Sequence, residues 1–296
     1  MLSDSYEIVG EEFKVGYRRQ EYWGWRIATA FFFGEVGAGL FLVSAFYNFM
    51  TGMLIGWGLV TVCKPTALFM HLGKPLRAWR AIMHLSSSWI SRGLCGSIIF
   101  TGFGGAHMLN LKYHIVGGFA ASLLFVLAML GCLVVLFYLG FVLSYSAAIP
   151  LWDTGLMPIF SISYGLLGGV TLVLLFGHDH FLATGGHTYE VLKAMELGLI
   201  LFCGVTLASF LHGAAYGPSA GRKAVVLLLK DRFAIWFIPF VVVIGIVLTA
   251  LLSAFGPDTL VVLLLVAIAE LIGDLGVKIL LFKTGLYEPV MAHSRF

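Results

Sequence analysis

Eight apolar stretches constrain this chain more than any other feature, because a helix rising ~1.5 Å per residue needs roughly 20 such residues to cross a bilayer's hydrocarbon. They run Trp25–Phe49, Gly52–Met70, Leu94–Leu111, Val116–Leu143, Pro158–Phe176, Val191–Leu211, Phe233–Phe255 and Leu260–Phe282. A membrane-spanning barrel would instead show short alternating segments. With 60% hydrophobic residues, 11% charged residues and a mean hydropathy of +0.98, the chain has lipid as its main solvent. The expected fold is an all-α polytopic membrane protein with eight transmembrane helices. An even number puts both termini on the same side. The longest polar loops are only about 20 residues, which leaves no room for a soluble domain.

Charge then orients the spans. Lys14, Arg18, Arg19, Arg26, Lys74, Arg77, Arg80, Arg92, Arg222, Lys223, Lys230, Arg232, Lys283 and Arg295 fall on the terminal side, against Lys112 and Lys193 on the other. By the positive-inside rule, this bias predicts cytoplasmic termini and a multi-pass protein of the cell's inner (cytoplasmic) membrane. The same basic face also suits a docking partner. Trp23, Trp25, Trp79, Trp89, Trp152 and Trp236 lie near it, as an interfacial aromatic belt would. Asp4, Glu7, Glu11 and Glu12 precede any apolar run, so residues 1–24 read as a retained polar arm rather than a signal peptide. Cys63, Cys95, Cys132 and Cys203 stand singly in apolar runs, without the paired spacing of zinc or iron–sulfur ligands.

An echo between `GEVGAG` (34–39) in span one and `GLLGG` (165–169) in span five suggests small-residue faces where helices approach closely. Two four-helix bundles, residues 25–145 and 146–296, would fit that echo.

Two blocks interrupt the apolar pattern. In `FMHLGKPLRAWRAIMHLSSSWISRG` (69–93), Gly73 and Pro75 should end the second helix and leave His71 at the membrane edge, followed by Arg77, Trp79 and Arg80. An imidazole there can exchange protons and bond a carbonyl oxygen, or it can simply sit at an interfacial helix end among snorkelling cations. In `FYLGFVLSYSAAIPLWDTGLMPIF` (137–160), Tyr138 falls at the same depth as His71. A phenol and an imidazole at one depth could hold the two oxygens of a quinone; a belt tyrosine is the alternative.

Charges inside spans form a third signal. Glu270, Asp274 and Lys278 recur at i, i+4 and i+8 and so make one stripe. An Asp274–Lys278 pair would leave Glu270 as the candidate proton carrier, and Glu35 and Glu196 add two more intramembrane acids. The alternative is a purely structural ion pair. His71 and His212 end two spans, but no histidine sits at mid-depth as a haem b anchor requires. His178, Asp179, His180 and His187 read as a solvated loop rather than a metal site.

Together, `FFFGEVGAG`, `HLGKPLRAW`, `SWISRG`, `FYLG` and `IPLWDTGLMPIF`, set in an eight-span layout, resemble the NrfD/polysulfide reductase family of membrane subunits, including the dimethyl sulfoxide reductase anchor. The resemblance implies a quinone-reactive subunit of a respiratory oxidoreductase complex, with quinone, of the menaquinone type, as substrate and no haem or iron–sulfur cluster of its own. The implied partners are a ferredoxin-like multi-cluster iron–sulfur subunit and, beyond it, a molybdopterin or other catalytic subunit. By resemblance His71 and Tyr138 contact quinone, Trp23 and Trp25 match the family's Trp-x-Trp, and Lys74, Arg77, Trp79, Arg80 and Arg92 dock the partner; Arg26 is an alternative polar contact to quinone, or a lipid-headgroup anchor at the span edge. Where the polysulfide-reductase type has an Asn and a His after its Trp-x-Trp, this chain has Ile27 and Ala30. An ion-coupled transporter of two four-helix halves is the competing class, and a purely structural anchor a third.

Overall fold

A computed structural model describes residues 16–183 and 186–289. All eight expected spans are helices: α1 (Trp25–Phe46), α2 (Met50–Phe69), α3 (Trp89–Tyr113), α4 (Gly118–Ser144), α5 (Leu156–Ala183), α6 (His187–Ala215), α8 (Ala234–Phe255) and α9 (Leu260–Lys283). Between α6 and α8 lies an eleven-residue amphipathic helix, α7 (Ser219–Leu229), too short to span. It buries Ala220, Ala224, Val225 and Leu228 and exposes Arg222 and Lys223. Asp4, Glu7, Glu11, Glu12, Lys14 and Arg295 lie outside the described residues.

Helices α1 and α5 form the centre, with 83% and 72% of their most apolar windows buried, whereas the other spans are 22–44% buried. Their sequences explain the position. Lipid offers no hydrophobic drive for association, so close packing of small residues has to supply it. A Cβ on Gly39 of α1 would fall on the carbonyl oxygen of Gly165 of α5, and one on Gly169 would meet Gly39 and the Leu40 amide. The two glycine motifs therefore face each other across one interface. Gly37, two residues before Gly39, turns toward α2, where a Cβ would collide with the carbonyl of Gly56.

The ends of the described chain meet. Arg18–Arg19 pairs antiparallel with Leu286–Tyr287, and the Gln20 amide donates to the Gly285 carbonyl at 2.9 Å. Glu288 then accepts from Ser219 Oγ (2.6 Å) and from the Ala220 amide (2.8 Å) at the start of α7.

Four sequence expectations are corrected. Helix α2 ends at Phe69, before Gly73, and Pro75 opens a 3-10 helix (Pro75–His84) because proline fits a first turn, where its missing N–H is not needed. Helix α1 ends at Phe46 rather than Phe49, at a turn where Asn48 has φ 52°. Helix α5 extends to Ala183, so His178, Asp179 and His180 ride on its last turns rather than on a loop. Trp152 is not a lipid-facing belt residue: it is 3% exposed, and its indole Nε1 donates to the Leu281 carbonyl at 3.0 Å, tying the α4–α5 connection to α9.

The α1–α5 contact predicts that Gly39→Ala lowers the thermal midpoint of the detergent-purified protein, by overpacking worth ~1–3 kcal/mol. Gly102→Ala, where a Cβ meets nothing within 4 Å, should not lower it, because alanine favours a helix interior over glycine. Equal midpoints for the two variants would remove this interface from the folding account.

Candidate functional site

The i, i+4, i+8 stripe on α9 faces inward: Glu270, Asp274 and Lys278 are at most 3% exposed. Lys278 pairs with Asp274, as the spacing predicts, and its Nζ also lies 2.9 Å from Glu35 Oε2 on α1. One ammonium thus joins two carboxylates from helices far apart in the chain. It also stands over the Tyr164 ring at 5.5 Å. The Ser161 hydroxyl bonds the Glu35 carboxyl and also reaches the Leu136 carbonyl at 2.9 Å. A hydroxyl has one proton for these two acceptors, so the direction of the Ser161–Glu35 bond depends on which partner carries the proton.

Away from the terminal side, Glu270 Oε1 lies against Gly168, 3.5 Å from where a Cβ would stand. Neither of its oxygens has a hydrogen-bond partner among the described residues. The Thr171 hydroxyl interacts with the carboxyls of both Glu270 and Glu196, without a well-formed hydrogen bond to either. Glu196 is held on its other oxygen by Ser253 Oγ at 2.6 Å. At the rim beyond it, Lys193 pairs with the exposed Asp258 at 2.6 Å. Buried polar groups therefore extend from that rim through Glu196, Thr171, Glu270, Asp274 and Lys278 to Glu35 and Ser161.

Beyond Glu35 lies Lys64 of α2, 6% exposed, whose Nζ donates to Ser97 Oγ at 2.6 Å and stands 4.7 Å from the Tyr138 ring centroid. Tyr138 is buried, and its hydroxyl has no hydrogen-bond partner among the described residues. An aromatic wall leads outward from it: Tyr138 to Phe31 at 5.2 Å, Phe31 stacked on Trp23 at 5.9 Å, and Trp23 against Trp152 at 5.9 Å. Tyr138 and Trp23 are thus brought together through Phe31. Ile27 and Ala30 are buried apolar residues on the same helix.

The Arg26 guanidinium donates to the Met70 carbonyl at 2.8 Å, one residue before the exposed His71. Arg26 therefore holds the end of α2 at the residue before His71. The 3-10 helix presents Arg77, Trp79 and Arg80 outward after the exposed Lys74. Arg92 is used differently: it donates to the Leu85 (2.9 Å) and Ser86 (2.7 Å) carbonyls and stacks over Trp89 at 4.4 Å, which holds the loop into α3. Among the described residues no group of three metal-ligating side chains converges. His178 pairs with Asp179 at 2.9 Å.

Sequence reasoning missed Lys64, although a charge inside span two was visible by the same rule that found Glu35. It also missed Ser161, Tyr164, Thr171 and Ser253, ordinary span residues whose role comes from what faces them.

The family model described as "Polysulphide reductase, NrfD" matches residues 15–289. No curated protein matches the chain.

The Lys278 geometry makes a stability prediction. Lys278→Met leaves the Glu35 and Asp274 carboxylates buried without their cation, a loss of ~3–5 kcal/mol. The triple variant Glu35→Gln/Asp274→Asn/Lys278→Met should recover most of it. Detergent-melt midpoints check this; a single variant as stable as the wild type would show that the triad holds nothing together.

Proposed function

The chain belongs to the NrfD polysulphide reductase family, and on that premise we propose that it is the quinone-reactive membrane subunit of a respiratory oxidoreductase complex, with its head-group site at Tyr138. The observation that carries this reading is the buried Tyr138 phenol, with an unengaged hydroxyl at the end of the Trp23–Phe31–Tyr138 wall. A flat quinone ring favours aromatic walls, and its carbonyl oxygen favours a donor that no protein group already occupies. His71, exposed at the end of α2, serves as the proton-exchanging group at the rim. Arg26 fixes the backbone that carries it.

Oxidation of a quinol releases two electrons and two protons; reduction of a quinone takes up the same. The electrons pass to or from a docked iron–sulfur subunit, for which the basic and aromatic surface of Lys74, Arg77, Trp79 and Arg80 is the contact, with Arg92 shaping the loop behind it. A molybdopterin or other catalytic subunit completes the complex, menaquinone is the proposed quinone, and the excess of basic residues favours a cytoplasmic terminal side in the inner membrane. The protons use the buried row. Glu35, Asp274 and Lys278 exchange protons within one ion-paired cluster, Ser161 reverses its bond to suit, and Thr171 stands between Glu270 and Glu196. Buried oxygens lacking protein partners, as at Glu270 and Thr171, are the kind that internal water satisfies, and water would carry the proton between them.

Two measurements test this. In the intact complex, Tyr138→Phe and His71→Ala should each lower quinol-linked electron transfer, Tyr138→Phe by about the 10–100-fold that a hydrogen bond made in the reacting state is worth. Wild-type turnover in both would overturn the site. In proteoliposomes with an enclosed pH dye, Glu270→Gln should reduce the turnover-linked proton signal per electron. An unaltered ratio would take Glu270 off the route.

A further inference from the structure

Lys64 is the least satisfied cation in the described interior. Its ammonium has three N–H donors, of which one goes to Ser97 Oγ and one side faces the Tyr138 ring. The Ser97 proton is already committed to the Gly93 carbonyl at 2.7 Å, so Ser97 receives from Lys64 and offers it nothing more. The neighbouring acid, Glu35, interacts with Lys64 only at a distance, because its carboxyl is engaged by Lys278 and Ser161. A buried ammonium in a membrane ordinarily has a carboxylate or several carbonyls around it. Lys64 has neither among the described residues.

The surroundings are cut to admit this side chain. Gly34 of α1 faces the lysine stem, with a Cβ position 3.1 Å from Lys64 Cδ, and Gly93 of α3 lies flat beneath the Tyr138 ring, where any Cβ would enter the ring. Two glycines on two helices thus make room for one amine and one phenol side by side. The location is also reachable from lipid. Trp57 Nε1 ties α2 to α3 at the Thr101 carbonyl (3.0 Å), but from Lys64 to Phe69 α2 leans on α1 and makes few contacts with α3. The Lys64–Ser97 hydrogen bond spans the remaining seam, between partly exposed Cys63 and Ser97 and lipid-facing Val62 and Ile98.

We propose that the Lys64 ammonium and the Tyr138 hydroxyl form one oxygen-binding subsite, entered from the bilayer between α2 and α3, that selects the anionic over the neutral form of a quinone head group. This deepens the quinone reading and rests on it. Tyr138 donates a neutral hydrogen bond to either form, whereas Lys64 contributes charge and so discriminates between them. The ammonium stands 4.7 Å from the centroid of the phenol ring, and the subsite places one head-group oxygen between its unspent donor and the Tyr138 hydroxyl.

Equilibrium binding to the purified, detergent-solubilised full chain tests it, with two probes of the same ring: 2,3-dimethyl-1,4-naphthoquinone, which is neutral, and 2-hydroxy-1,4-naphthoquinone, which is an anion at neutral pH. The wild type should favour the anion by about the 10–100-fold expected of a charge-assisted hydrogen bond. Lys64→Met should bring the ratio of the two affinities to about one. Tyr138→Phe should weaken both probes and leave the ratio in place. Lys64→Gln keeps a donor for Ser97 without the charge, and it is the variant to read if Lys64→Met does not fold. The ratio is insensitive to general loosening of the protein, which would weaken both probes together. A wild type that binds neither probe overturns the quinone reading itself. A wild type that binds both while the lysine variants keep its preference for the anion overturns the role of Lys64 alone.

Discussion

The structure depends on a lysine between two carboxylates in a medium that tolerates neither sign of charge alone. Lys278 holds Asp274 on its own helix and Glu35 on α1, so the first and last spans are fastened by an ion triad inside the bundle. Removing three charges from water costs several kcal/mol per ion, and only close geometry with hydrogen bonds on the remaining atoms offsets this. That geometry requires α1 to lie in the interior, touching α2, α5 and α9 at once. Glycine makes this arrangement possible: Gly34, Gly37 and Gly39 fall on successive sides of α1 toward Lys64, Gly56 and Gly165. The acid among these glycines, Glu35, is carried by the helix whose Gly39 lies against the Gly165 backbone.

The centre divides the interior into two chemically different regions. Toward the terminal side, Lys64, Tyr138, Phe31 and Trp23 give an aromatic wall with one cation and one free phenol. Toward the opposite rim, Glu270, Thr171, Glu196 and Ser253 give oxygens and no cation until Lys193. A hydrophobic, aromatic region suits a planar lipid-borne ligand, and an oxygen-lined one suits protons and water. Glu35 belongs to both, bonded to Lys278 in the triad and electrostatically linked to Lys64. Any redox event at the aromatic wall that changes charge near Lys64 is therefore felt first by Glu35.

What could be read in advance follows from the physics of each feature. The eight spans were legible because hydrocarbon thickness sets a length and a composition together. The Asp274–Lys278 pair was legible because i and i+4 are neighbours on any helix. Glu35–Lys278 was not, since nothing local in either span says that α1 and α9 touch. The glycine motifs were visible in sequence, but which helix each one faces needed the packing. Trp152 looked like a belt residue because it falls near the basic terminal-side face with five other tryptophans, whereas the α4–α5 connection folds inward and gives the indole a carbonyl on α9. The amphipathic α7 was hidden for a different reason: its eleven residues are too few for a span, and its basic face read as part of a loop.

Charge balance gives the interior its sensitivity. Four buried acids, Glu35, Glu196, Glu270 and Asp274, face two buried lysines, Lys64 and Lys278. With every group ionised, two negative charges would stand uncompensated at low dielectric, which a membrane interior resists strongly. Protons are the compensating charges available without another ligand, so the number of protons held in the row and the charge at the Lys64–Tyr138 wall are linked through the same field. On the proposed reading, an anion arriving beside Lys64 would weaken that lysine's compensation of Glu35 and favour one more proton in the row; its departure would favour release. Coupling of this kind requires no large movement of the helices, because the Ser161 hydroxyl can reverse its bond in place and the packed α1–α5 backbone holds both partners where they are.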